Sequence, residues 1–86
     1  MSYYVKLDNI ITADESKRGY QRFEATSGPE LLQQACTFFG WNHRDNVTLQ
    51  LWTVVDGRKI RVDTLDTLEE SYQFVQLKAF PTFSKW

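Results

Sequence analysis

The strongest constraint on this fold is a single self-contained helix signal, set between stretches that alternate with period two. Ser27-Gly28-Pro29-Glu30 fits a capping box, with Ser27 as N-cap and Glu30 at the third helical position. Pro29 is tolerated there because an amide in the first turn has no intrahelical acceptor to lose. Leu31, Leu32, Ala35, Cys36 and Phe39 recur at three- and four-residue spacings and form one apolar stripe. Gly40 then stops the helix, since a glycine enters the left-handed conformation without steric cost. A helix of about three turns with one apolar stripe needs a surface to cover, and the flanking segments supply it.

Tyr3, Val5 and Leu7 alternate with Tyr4, Lys6 and Asp8, which predicts a half-buried strand. The polar stretch from Thr12 to Gly19 reads as a loop, and Tyr20 to Ala25 as a second strand pairing back as a hairpin. Val47, Leu49 and Leu51 alternate with Thr48, Gln50 and Trp52 in a third strand rich in β-formers. Asp56-Gly57 is a strong type I′ hairpin signal, because both central residues of that turn need positive φ. Lys59 to Val62 should return from it. Thr64 to Ser71 reads as a turn or a single helical turn, with Asp66 or Thr67 as cap and Leu65 and Leu68 tucked inward. Tyr72 to Phe80 is the expected last strand, with Val75, Leu77 and Ala79 on one face and Pro81 limiting further pairing.

With 86 residues there is room for one domain, expected over residues 1–80 with a short tail at 81–86. Aromatics make up 15% of the chain, which suggests a core built on large rings. Ten Lys and Arg against eleven Asp and Glu leave a formal charge of -1. That balance argues against broad electrostatic capture of nucleic acid or of an anionic membrane. Cys36, the one cysteine, excludes an internal disulfide and a cysteine-based metal site. No apolar run approaches the roughly 20 residues of a membrane helix, and the start lacks a signal-peptide pattern. An intracellular domain, cytoplasmic or nuclear, is the expectation.

The order strand, strand, helix, strand, strand, turn, strand predicts an α+β domain: one helix on a mixed sheet of about four or five strands, ββαββ(turn)β. This is the order of the β-grasp, or ubiquitin-like, fold. Glu30-Leu31-Leu32-Gln33-Gln34-Ala35-Cys36 ahead of Phe38-Phe39-Gly40, then Val47-Thr48-Leu49-Gln50-Leu51 running into Asp56-Gly57, is similar to the CIDE-N and PB1 branches of ubiquitin-like domains. Tyr72 to Leu77 looks like their closing strand. The resemblance spans Phe23 to Ala79 and implies a protein-binding module. Lys6 sits where the basic PB1 face has a first-strand lysine. Two features depart from the group. The chain ends Phe80-Pro81-Thr82-Phe83-Ser84-Lys85-Trp86 rather than in the Gly-Gly of a conjugated modifier, and Arg58 and Lys59 follow the hairpin where PB1 domains carry acids.

Charge distribution supplies the main site candidates. Lys6, Lys17, Arg18 and Arg22 lie on or beside the first hairpin, whereas Asp63, Asp66, Glu69 and Glu70 lie in the crossover before the last strand. As complementary flanks, they would let one copy dock head to tail on the next. As a solvated surface of mixed sign, they would do nothing of the kind. Tyr4 and Trp52 fall on the strand faces opposite the apolar ones and are candidates for an exposed protein-binding patch. Alternatively the tail with Phe83 and Trp86 covers Trp52. Trp41 is expected to plug one end of the core. A nucleic-acid reading would stack bases on Tyr4, Trp52 and Phe74 and place Arg58, Lys59 and Arg61 on the phosphates.

Catalysis has little support. His43, the lone histidine, lies in the polar loop from Trp41 to Asn46, and Cys36 belongs to the apolar stripe, where an inert core thiol is expected. No catalytic residue, metal, cofactor or small-molecule substrate is therefore assigned. The reading is a non-catalytic protein–protein interaction module of ubiquitin-like fold, with self-association as one mode. A nucleic-acid-binding sheet, or a small viral or phage effector that inhibits a host protein, is the alternative. Such a chain suits a stand-alone adaptor or the N-terminal domain of a longer protein.

Overall fold

The computed structural model describes residues 1–10, 12–41 and 47–81. Strands β1 (Ser2–Leu7) and β2 (Gln21–Glu24) precede helix α1 (Gly28–Phe39), followed by β3 (Val47–Val55), β4 (Arg58–Arg61) and β5 (Phe74–Pro81). Short 3-10 turns occupy Glu15–Lys17 and Glu70–Tyr72. The five strands form one sheet in the order β2-β1-β5-β3-β4. β1 and β5 pair in parallel at its centre, and the other neighbours pair antiparallel. One helix on a mixed sheet is thus the architecture, and the expected order of elements holds.

The helix ends are chemically explicit. The Ser27 hydroxyl accepts from the Glu30 amide at 3.3 Å, while the Glu30 carboxylate accepts from the Thr26 amide at 2.7 Å. That is a capping box shifted one residue outward on its return arm. At the other end Gly40 adopts φ 76°, and the amides of Gly40 and Trp41 return to the carbonyls of Thr37 and Cys36. This double return satisfies two otherwise orphaned carbonyls. The Asp56-Gly57 turn has φ of 52° and 76°, as a type I′ hairpin needs.

Period-two alternation sends Tyr3, Val5 and Leu7 of β1, Leu51 and Thr53 of β3, and Val75 and Leu77 of β5 to one buried face. Leu31, Ala35 and Phe39 of α1 close over it, and Val62 and Leu68 join from the crossover. Trp41 is half-buried against this core, and so is Leu65. The core is therefore mainly aliphatic, contrary to the expectation from composition. Tyr3 and Phe39 are its only buried rings among the described residues, and most other rings stand outside it. Buried hydroxyls are paired: the Tyr3 O–H donates to the Leu68 carbonyl at 3.1 Å and the Thr53 O–H to that of Phe74 at 2.6 Å.

Several boundaries differ from the sequence reading. β5 starts at Phe74 rather than Tyr72, because Glu70–Tyr72 turns before pairing begins. It runs through Pro81, opposite Val47, since the missing amide matters little at the last residue of a strand. At the edge strand β2, the side-chain amide of Gln34 donates to the Glu24 carbonyl at 2.9 Å. The loop around His43 and the tail with Phe83 and Trp86 lie outside the described residues.

Gly28 has a second role besides opening the helix. Its amide donates to the Leu65 carbonyl at 2.7 Å, and a Cβ built on it would overlap the Val62 carbonyl oxygen. Backbone meets backbone here, so no side chain can move aside. Gly28→Ala should lower the unfolding free energy by about 3 kcal/mol, the upper range for overpacking. Urea unfolding followed by far-UV circular dichroism measures it, and a loss below about 1 kcal/mol would contradict the close approach.

Candidate functional site

The helix covers one face of the sheet, and the same alternation presents the other set of side chains to solvent. On that outer face, register brings residues into cross-strand rows. Lys6 lies opposite Gln76, Gln76 opposite Trp52, and Trp52 opposite Arg61. In the neighbouring row Arg22 lies opposite Tyr4 and Tyr4 opposite Phe74, while Val54 lies opposite Lys59 towards the other edge. Rings and apolar groups fill the middle, and cations flank them.

Tyr4 and Phe74 stack with centroids 5.4 Å apart and planes at 21°. Tyr20, which precedes β2, meets Phe74 edge-on at 5.3 Å and 78°. The Gln76 amide donates to the Tyr20 hydroxyl at 3.0 Å, and the Lys6 amine lies 5.8 Å from the centre of the Tyr20 ring. Trp52 donates its indole N–H to the Gln50 side chain at 2.9 Å, which fixes that ring on the face. Six large hydrophobic side chains are exposed among the described residues, and four of them (Tyr20, Val54, Phe74 and Phe80) belong to this face. Phe74 and Val54 are 54% and 55% exposed. Beside the rings, Lys6, Tyr20, Trp52, Lys59, Gln76 and Lys78 line a depression of about 380 Å³.

The expected charged flanks are placed differently. Of the basic set, Lys6 and Arg22 stand on the outer sheet face, and Arg22 is paired with Glu24 at 2.6 Å. Lys17 instead lies over the Phe38 ring, 5.3 Å from its centre, on the helix side. Arg18 folds back on the Thr12 carbonyl and on Glu15. These four do not form one flank. Of the acidic set, Asp66 and Glu70 are exposed and Glu69 accepts from the Tyr72 hydroxyl at 2.7 Å. Asp63, expected at the surface, is instead buried. It receives Arg61 through Nε at 2.8 Å and Nη2 at 3.0 Å, and the Leu51 amide at 3.3 Å. The bidentate contact raises the Arg61 guanidinium above its ordinary pKa. Asp63 therefore ties the β4 exit to β3 and is not available to a partner.

Of the basic hairpin residues, Lys59 and Arg61 point to the outer face, whereas Arg58, opposite Val55, belongs to the helix side. On the helix side, a groove of about 390 Å³ runs between α1 and β3, lined by Leu32, Cys36, Trp41, Val47 and Leu49. Burial pushes the Cys36 thiol above its ordinary pKa, away from the reactive thiolate. Among the described residues, no group of three or more His, Cys, Asp or Glu side chains could hold a metal ion. No described helix is long and apolar enough to cross a membrane.

Sequence reasoning found Tyr4, Trp52 and Phe74 by parity but missed Tyr20, Val54, Gln76, Lys78 and Phe80. The last four carry the same period-two signal, read against the strand pairing. Tyr20 carries none, because it lies outside any strand.

Asp63→Ala should cost about 2 kcal/mol of stability, since the Leu51 amide then loses its acceptor in a buried position. Arg61→Ala should cost more, because it leaves the Asp63 carboxylate, whose side chain is 4% exposed, buried without its bidentate partner. Urea midpoints of both variants check the ranking, and equal losses would contradict it. Compared with protein-family models, curated proteins and solved structures, the chain matches none.

Proposed function

We propose that this chain is a non-catalytic protein-interaction module of ubiquitin-like, β-grasp type, and that it docks partners through the outer face of its sheet. One observation carries the reading: exposed rings and apolar groups are gathered on the face that the helix leaves open. Contiguous exposed apolar surface is costly to leave in water and marks a docking surface, and aromatic anchors supply much of the binding energy at interfaces. The order of elements, with one helix on a mixed sheet whose first and last strands pair in parallel, supports the fold name. Cys36, inert in its burial, gives no support to thiol chemistry.

Two other readings have less support. Head-to-tail assembly through charged flanks loses Asp63 to Arg61, and loses Lys17 and Arg18 to contacts within the chain. Base stacking needs free ring faces. Tyr4 and Phe74 each turn one face to the other, Lys6 lies over Tyr20, and Arg61 is taken by Asp63.

Selection from a displayed library of random dodecapeptides tests the reading. Bound peptides should shift the amide resonances of Tyr4, Lys6, Trp52, Val54 and Phe74. Phe74→Ser should weaken them at least roughly tenfold, the loss expected of a central aromatic anchor, with the far-UV spectrum unchanged. Footprints on the α1–β3 groove, or no enriched peptide, would overturn it.

A further inference from the structure

The outer face is basic as well as aromatic, and this restricts what can sit on it. Lys6, Arg22, Lys59, Arg61 and Lys78 all project there. The carboxylates at this face are already engaged: Glu24 with Arg22, Asp8 with Lys78 at 3.3 Å, and Asp63 with Arg61. The remaining described acids lie in the first loop, the helix start, the hairpin tip and the crossover. A near-neutral chain is thus polarised, with its positive charge concentrated around its exposed rings.

Resting on the docking reading above, we infer that the depression rimmed by Lys6, Lys59 and Lys78 takes an acidic peptide segment of another protein, with an apolar side chain of that segment seated on Trp52, Val54 and Phe74. Charge complementarity argues for this occupant. Lys59 makes no ion pair among the described residues, and the Lys6 amine has only the Tyr20 ring. Both amines are therefore open to a carboxylate. A second copy docking by the same face would oppose these lysines to their own equivalents, a like-charge contact that disfavours a symmetric dimer. An oligonucleotide would match the charge as well, and the oligo(dT) arm of the test separates it from a peptide.

The test uses fluorescence anisotropy with three labelled probes. One is a peptide in which glutamates flank leucine and phenylalanine, the second is its glutamine-for-glutamate twin, and the third is oligo(dT) of similar length. The acidic peptide should bind at least roughly tenfold tighter than its twin at low salt, as pairs with the two open amines of Lys6 and Lys59 would give together. The preference should fall as salt rises and vanish in the Lys6→Gln/Lys59→Gln/Lys78→Gln variant. Lys59→Glu alone, at an exposed position, should already lower it roughly threefold, so the test survives misfolding of the triple variant. Equal binding of the twin overturns the acidic occupant and leaves sheet-face docking standing. Tighter binding of oligo(dT) than of either peptide overturns both. Binding of none of the probes overturns the acidic occupant, and the library selection then decides the wider reading. A scattering mass that grows with concentration, and that the acidic peptide reverses, would make the occupant a second copy and overturn the foreign partner.

Discussion

The backbone contact between Gly28 and the crossover is the joint on which the rest of this domain depends. At that point the helix start and the crossover are joined backbone to backbone, and the Tyr3 side chain ties the first strand to them. The Gly28 amide reaches Leu65, the Leu68 amide reaches the Thr26 carbonyl at 3.2 Å, and the Tyr3 hydroxyl reaches the Leu68 carbonyl. The consequence is positional. The crossover is held under the helix, so the chain emerges at the right place to lay β5 beside β1. Without that, the central parallel pair, which joins segments from the two ends of the described chain, would have to find its register from side-chain packing alone.

Closing one face so economically leaves the other without a described helix over it. The aliphatic residues are spent beneath the helix, where Val5, Leu31, Leu51, Val62, Val75 and Leu77 are fully buried. The rings go mostly elsewhere. A small domain seeking only stability would have buried them, because each carries a large apolar area. Holding Tyr4, Tyr20, Trp52 and Phe74 in a hydrogen-bonded and stacked array at the surface makes a rigid platform instead. Rigidity of this kind lowers the entropy lost when something binds.

Much of this was legible in the sequence, for reasons that differ from element to element. The helix and the Asp56-Gly57 turn are local: their caps and φ angles are set by neighbouring residues, so a short window contains the answer. Strand faces follow from parity, which placed Tyr4, Trp52 and Phe74 correctly. The fate of a charge is another matter. Asp63 reads like its acidic neighbours, yet the strand exit turns it inward to Arg61, its neighbour but one, and to the Leu51 amide, a contact across the strand pair without a local signature. Lys17, Arg18 and Tyr20 were equally illegible, because they sit in a loop whose path is set by what it packs against. The excess of aromatics misled in a useful way: composition counts rings but does not say which side of the sheet they occupy.

The two edges of the sheet are guarded by different means. At β2 the helix lends Gln34, which occupies the Glu24 carbonyl, while β4 carries three cations in its four residues, Arg58–Arg61. Exposed edges invite strand addition, and blocked acceptors and clustered positive charge are both ways to discourage it. A chain that displays so much apolar surface at high local concentration would otherwise risk growing by its margins into fibrils. With both margins defended, contact is channelled to the broad surface between them, and stickiness becomes directional.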